Sequence, residues 1–128
     1  PIGAVFTVGG ELRATGRNRR VQSGSGVLHA EIDCLGRAGR VTAAEVRTSC
    51  LYVTLSPCLM CTGAILQFGI PRVVVGYPIN FDVRREMLLA AGVEIVTVDD
   101  VSSWRLVEQF IRAHTEVWEE DIGVDAGE

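Results

Sequence analysis

Apolar residues along the chain gather into short runs separated by glycine, proline and polar positions, and the runs alternate between strand and helix character. Residues 4–8 (AVFTV) and 11–17 (ELRATGR) flank Gly9-Gly10. A short glycine turn between two such runs predicts a β-hairpin. A polar loop is expected over 18–26, then a short helix over 30–38 with Gly39 as its stop. Residues 51–55 (LYVTL) read as a strand that runs straight into Ser56-Pro57. Serine is a good N-cap and proline suits a first helical position, so a helix is expected from there to Phe68. That helix is apolar nearly all round, which places it deep in a core or in a subunit interface. The unbroken run RVVVG at 72–76 predicts a central strand covered on both faces. A helix over 83–91 ends at Gly92, and 93–98 gives another strand. The last helix, over 101–114, sets Trp104, Val107, Phe110 and Ile111 on one side.

Hairpin, helix, strand, helix, strand, helix, strand, helix, joined by right-handed crossovers, make an α/β fold: a three-layer α/β/α sandwich on a mixed five-stranded sheet. No repeat, linker or low-complexity tract interrupts residues 1–128, so one domain is expected. With 128 residues, 48% of them apolar, the chain can fill a real core. No run reaches the roughly 20 apolar residues of a membrane span. The opening PIGAVFTV lacks the pattern of a secretory signal. A cytoplasmic protein with four reduced cysteines is expected. Pro1 leads almost directly into the first strand, so an N-terminal element is expected to be absent or to lie before it. The net charge of −4 disfavours a nucleic-acid polymer as partner, and the one basic cluster, RNRR at 17–20, reads as a solvated loop.

Against that background the stretch LSPCLMC stands out, because it places two of the four cysteines three residues apart. A redox pair would call for a thioredoxin-like context, which is missing. At a helix start, Cys58 and Cys61 project to one side, and the helix dipole favours their thiolates. His29, in LHAEIDC, is the natural imidazole partner, whereas His114 reads as solvated. Three protein ligands leave a fourth position for water, the arrangement of a catalytic zinc site. A closed shell completed by Cys34 or Cys50 would instead make a non-catalytic zinc-binding interaction module. Residues two apart on a regular helix point about 200° from one another. Glu31 therefore faces the same metal as His29 only at an irregular first turn. His-x-Glu followed by Pro-Cys-x-x-Cys is the zinc deaminase signature, with the glutamate moving protons rather than binding metal.

With these motifs the chain resembles the cytidine deaminase superfamily, and within it is most similar to the fungal-type free-base cytosine deaminases. The likeness covers almost the whole length, including LYVTLSPCLMCTGAILQFGIPRVVVG, INF and VWEEDIG. It implies one zinc ion held by His29, Cys58 and Cys61 with a bound water, Glu31 as the catalytic residue, and conversion of cytosine to uracil and ammonia in pyrimidine salvage. It also implies a substrate pocket. Asn18 would bind the pyrimidine, Phe81 and Trp118 would pack on the ring, and the Ser56 carbonyl and Ala30 N–H would bond the base. Asp121 would reach the amine, the leaving ammonia or His29. From the residues alone, Phe81 and Trp118 read as core and Asp121 as a solvated charge. Arg17 stands where the fungal pattern has histidine, Glu119 where it has an aromatic, and Ala30 where it has glycine; its leading helix is absent or precedes Pro1. These departures keep the chemistry and open the pocket to isoguanine, guanine or an aminotriazine. A tRNA- or DNA-editing role is opposed by the acidic charge and by the expected C-terminal cover over the pocket. The apolar helix, together with the resemblance, implies a homodimer.

Overall fold

In a computed structural model, which describes residues 1–124, the chain reverses at Gly9 and Gly10. Both take positive φ, 59° and 80°, the left-handed backbone that glycine adopts without steric cost. Strands β1 (Gly3–Val8) and β2 (Glu11–Arg17) therefore pair antiparallel, with a register shift between Phe6 and Thr7. Strand β3 (Ser49–Leu55) adds antiparallel to β1. Strands β4 (Arg72–Tyr77) and β5 (Glu94–Thr97) then add in parallel, giving the order β2-β1-β3-β4-β5. The expected mixed five-stranded sheet is present, with RVVVG inside it.

Alternation along the strands sends Ala4, Phe6, Leu51, Val53, Val73 and Val75 into one core. Helices α2 (Ala30–Ala38), α4 (Leu59–Phe68) and α5 (Asp82–Ala90) close that side through Ala30, Cys34, Ile65 and Leu88. Helix α6 (Val101–Ala113) packs along β3 and β4 on the other face, where Ser103 lies beside Tyr52, Thr54 and Val74. Helix α7 (Thr115–Ile122) follows after a break at His114 and packs against α6.

Locally the structure departs from or adds to the expected elements. The loop over 18–26 contains a short helix, α1 (Arg20–Ser23). Thr42 and Glu45 form a capping box that starts α3 (Ala43–Val46), a pairing of residue types readable in TAAE. Helix α4 begins at Leu59, not at Pro57, and Cys58 is its N-cap, its sulfur accepting the Cys61 N–H. Ser56 is drawn elsewhere: its hydroxyl donates to the Ile79 carbonyl at 3.0 Å and accepts the Ile79 N–H at 2.8 Å. Nor is α4 deep in the core. It buries Cys61, Thr62 and Ile65, while Leu59 and Phe68 are 64% and 57% exposed. Among the described residues no helix is long and apolar enough to cross a membrane.

Candidate active site

Two helix starts converge at one end of the sheet. His29 is the N-cap of α2 and Cys58 the N-cap of α4, each with extended backbone before its helix. Cys61 follows one turn into α4 and is fully buried. The ligating atoms of His29, Cys58 and Cys61 all lie within 4.8 Å of one another, with Cys58 Sγ 3.4 Å from His29 Nδ1. The other ring nitrogen, Nε2, meets Asp121 Oδ1 at 2.7 Å. A carboxylate on one imidazole nitrogen fixes the tautomer and leaves the other free to ligate. One imidazole and two thiolates on converging helix starts fit zinc, with a fourth position left to water. Cys34 donates its thiol to the Ala14 carbonyl at 3.5 Å. Neither Cys34 nor Cys50 joins the group among the described residues, so the closed-shell alternative has no fourth ligand there.

The protein's own charges polarise this cluster. Hydrogen bonds that the His29 ring donates to Asp121 and then to Cys58 raise the His29 pKa to about 10. The Cys61 thiol, followed by His29, brings Cys58 down to about 4 against the effect of its burial. Cys61 is pushed up, first by its bond to Cys58 and then by burial. Glu31, in the first turn of α2, is buried, and desolvation raises its carboxyl above the usual range. A carboxyl that gives and takes protons near neutral pH needs this kind of shift.

His29, Glu31 and Cys58 open onto a cavity of about 660 Å³, with Cys61 buried behind them. Of the expected site residues, Asn18, His29, Ala30, Glu31, Ser56, Cys58, Trp118 and Asp121 line it. Trp118 and Asp121 arrive on α7, which covers the cavity. Phe81 does not line it. The chain turns at Asn80, where φ is 45°, and Phe81 packs into the core at the start of α5, leaving Ile79 and Asn80 as the wall. A second cavity of about 510 Å³ adjoins and shares Ile2, Asn18, Trp118 and Asp121 with the first.

Two arginines escape the sequence reading. Arg20 belongs to the cluster expected to be a solvated loop. Its side chain is only 10% exposed, with Nε 3.3 Å from Asp121 Oδ1, so it backs the carboxylate that holds His29. Arg84 lines the cavity, donating from Nε to the Pro57 carbonyl at 2.7 Å and from Nη2 to the Ile79 carbonyl at 3.2 Å. No local pattern marks Arg84. The signal for Arg20 was the basic run itself, in a chain otherwise acidic.

Comparison with known proteins bears on this geometry directly. Residues 1–77 match the cytidine and deoxycytidylate deaminase zinc-binding region. The chain is 40% identical to the cytosine deaminase of Candida albicans over 124 residues, covering 96% of this chain and 83% of that one. Among solved structures, one from a study of tRNA:A34 deaminases and A-to-I editing aligns with a TM-score of 0.68 at 27% identity, over 82% of this chain and 83% of the other. A guanine deaminase from Nitrosomonas europaea aligns with a TM-score of 0.70 at 22% identity, over 86% and 72%, which shows a shared fold. The matched region includes His29, Glu31, Cys58 and Cys61, the residues that converge here, and the chain accordingly belongs to the cytidine and deoxycytidylate deaminase zinc-binding family.

Proposed function

We propose that residues 1–128 form a single zinc-dependent deaminase domain that hydrolyses free cytosine to uracil and ammonia. The observation that carries this reading is that Glu31, His29 and Cys58 line one cavity with Asn18, while Cys61 lies buried behind it with its sulfur within 4.8 Å of the other two ligating atoms. The 40% identity to a cytosine deaminase over nearly the whole chain supports the substrate.

When bound by His29, Cys58 and Cys61, zinc acidifies a water and so supplies the nucleophile. Glu31 would accept the proton of that water and deliver it to ring N3, then take a second proton from the hydroxyl added at C4 and pass it to the departing amine; its raised pKa suits both directions. Asp121 keeps the His29 ring oriented through Nε2. Asn18 offers an acceptor to N1–H and a donor to C2=O; its Oδ1 also accepts the Arg20 N–H at 3.1 Å, which holds the amide in place. The Ala30 N–H, at the first turn of α2 where intrahelical acceptors are lacking, and the Ser56 carbonyl supply further bonds to the base. Trp118 covers the ring. A ribose on N1 would remove the donor that Asn18 reads, so free base is preferred to nucleoside.

The adjoining cavity gives a second reading, in which a larger amino-heterocycle such as guanine or isoguanine is the substrate. The chain acts as a cytoplasmic homodimer in pyrimidine salvage, on a small molecule rather than a nucleic acid. The exposed apolar face of α4 supports the dimer; the net charge of −4 and the cover of α7 support the small substrate. The test is ammonia release by zinc-loaded protein from cytosine, cytidine, guanine, isoguanine and an aminotriazine, with Glu31→Ala as the blank. Release from cytosine that the variant loses by about 10²-fold or more is the expected result. Release confined to another heterocycle moves the substrate, and silence on all of them refutes the reading.

A further inference from the structure

Asp33 is a buried carboxylate that the reaction does not use. Its side chain is only 5% exposed, and a charge so placed is costly unless it is paired and hydrogen-bonded. Three donors meet it. The backbone N–H of Arg17 reaches Oδ2 at 3.1 Å, Arg37 Nε approaches at 3.2 Å, and Arg19 Nη1 lies 3.4 Å from Oδ1. Arg37 is on the same helix, one turn away. The other two donors come from the segment on either side of Asn18.

We infer that Asp33 is a positioning residue, which holds Asn18 in register with the first turn of α2. This rests on the reading of Asn18 as the group that binds the base. The Asp33 N–H donates to the His29 carbonyl at 2.9 Å, so its backbone is tied to a metal ligand while its carboxylate is tied to the N–H of Arg17, the residue before Asn18. Asn18 is held by its own bonds as well: its N–H donates to the Ile2 carbonyl at 3.0 Å and its Oδ1 accepts the Arg20 N–H. The basic run at 17–20 thus has a purpose that its solvated reading missed. Arg19 pairs with Asp33 on α2, and Arg20 pairs with Asp121 on α7, so the residues that follow Asn18 are anchored to both helices. An acid that served only the α2 dipole could sit exposed in the first turn, with no need to bury itself against a strand end.

The test compares Asp33→Ala, Asp33→Asn, Arg19→Met, Arg19→Lys and Asn18→Ala in the zinc-loaded protein, with kcat, KM, zinc content and melting temperature read for each. Asp33→Ala is expected to raise the KM for cytosine by about tenfold or more, with full zinc content and a much smaller change in kcat. Arg19→Met gives a smaller rise that Arg19→Lys restores. Adding Asp33→Ala to Asn18→Ala changes KM no further than Asn18→Ala alone, because the two act through one contact. A lowered melting temperature with unchanged KM, or effects of the two substitutions that multiply, overturns the inference. If Asn18→Ala leaves KM alone, it is the role of Asn18 that fails. Backbone amide exchange at Arg17 reads the tether without any substrate: Asp33→Ala, which removes the acceptor, speeds it if the bond is as described, and unchanged exchange refutes it.

Discussion

Gly16 sits where β2 passes under the first turns of α2. A Cβ placed there would lie 2.6 Å from both the Ala30 carbonyl oxygen and the Cys34 Cα, and closer still to the Cys34 nitrogen. Ordinary van der Waals contact begins at about 3.4 Å. All three neighbours are backbone atoms, so no side chain can swing aside, and Gly16→Ala must push α2 from the sheet by about 1 Å. Overpacking of this kind costs about 1–3 kcal/mol of stability. The same movement displaces His29 and Glu31, which ride on that helix, and an error of about 1 Å at a catalytic group costs about 10²-fold in turnover. Urea denaturation of the zinc-loaded protein measures the first effect and kcat on cytosine the second. Gly36→Ala is the control, in the same helix but with nothing within 4 Å of its added Cβ. It should stabilise by up to about 1 kcal/mol and leave turnover unchanged. If Gly16→Ala matches wild type in both measurements, the close packing of α2 on β2 is not what places the site. A loss of stability with normal kcat would break the link from packing to catalysis.

Asp121→Ala removes the partner of His29 Nε2, and zinc affinity measured by chelator competition should fall by about 10–100-fold. Zinc affinity should also rise with pH. At neutral pH His29, with its pKa raised to about 10, and Cys61, raised as well, hold protons, whereas Cys58, lowered to about 4, is already a thiolate. Binding therefore displaces two protons. The same competition run between pH 6 and 8 should show about a 100-fold gain per pH unit, and a pH-independent affinity would contradict those protonation states. If the proposed homodimer forms through the exposed face of α4, wild type sediments as a dimer and Leu59→Glu as a folded monomer; a wild-type monomer refutes the dimer, and a variant that stays dimeric places the interface elsewhere.

Where the relevant geometry is local, the sequence was sufficient. Hydrophobic periodicity and glycine turns placed the hairpin, the later strands and α2, because strand and helix periods are properties of a few consecutive residues. The zinc ligands were legible for the same reason: Cys58 and Cys61 are one helical turn apart, and His29 with Glu31 needs only an irregular helix start, which the N-cap of α2 provides. Local rules failed where a distant group competed. Ser56 looked like a helix cap, but Ile79 took its hydroxyl, so the cap passed to Cys58. Phe81 read as core from the residues alone, and core is where the turn at Asn80 puts it; only the resemblance had set it against the ring. The RNRR cluster looked solvated because its carboxylate partners, Asp33 and Asp121, are remote in sequence. His29 and Asp121 are 92 residues apart, and Arg84 reaches back 27 residues to the Pro57 carbonyl. The sequence by itself thus determined the order of elements and the donor set. Only the tertiary structure decided which carboxylate orients the imidazole, which arginines brace the walls and which aromatic faces the cavity, since those choices depend on contacts that exist only once the sheet and its helices have assembled.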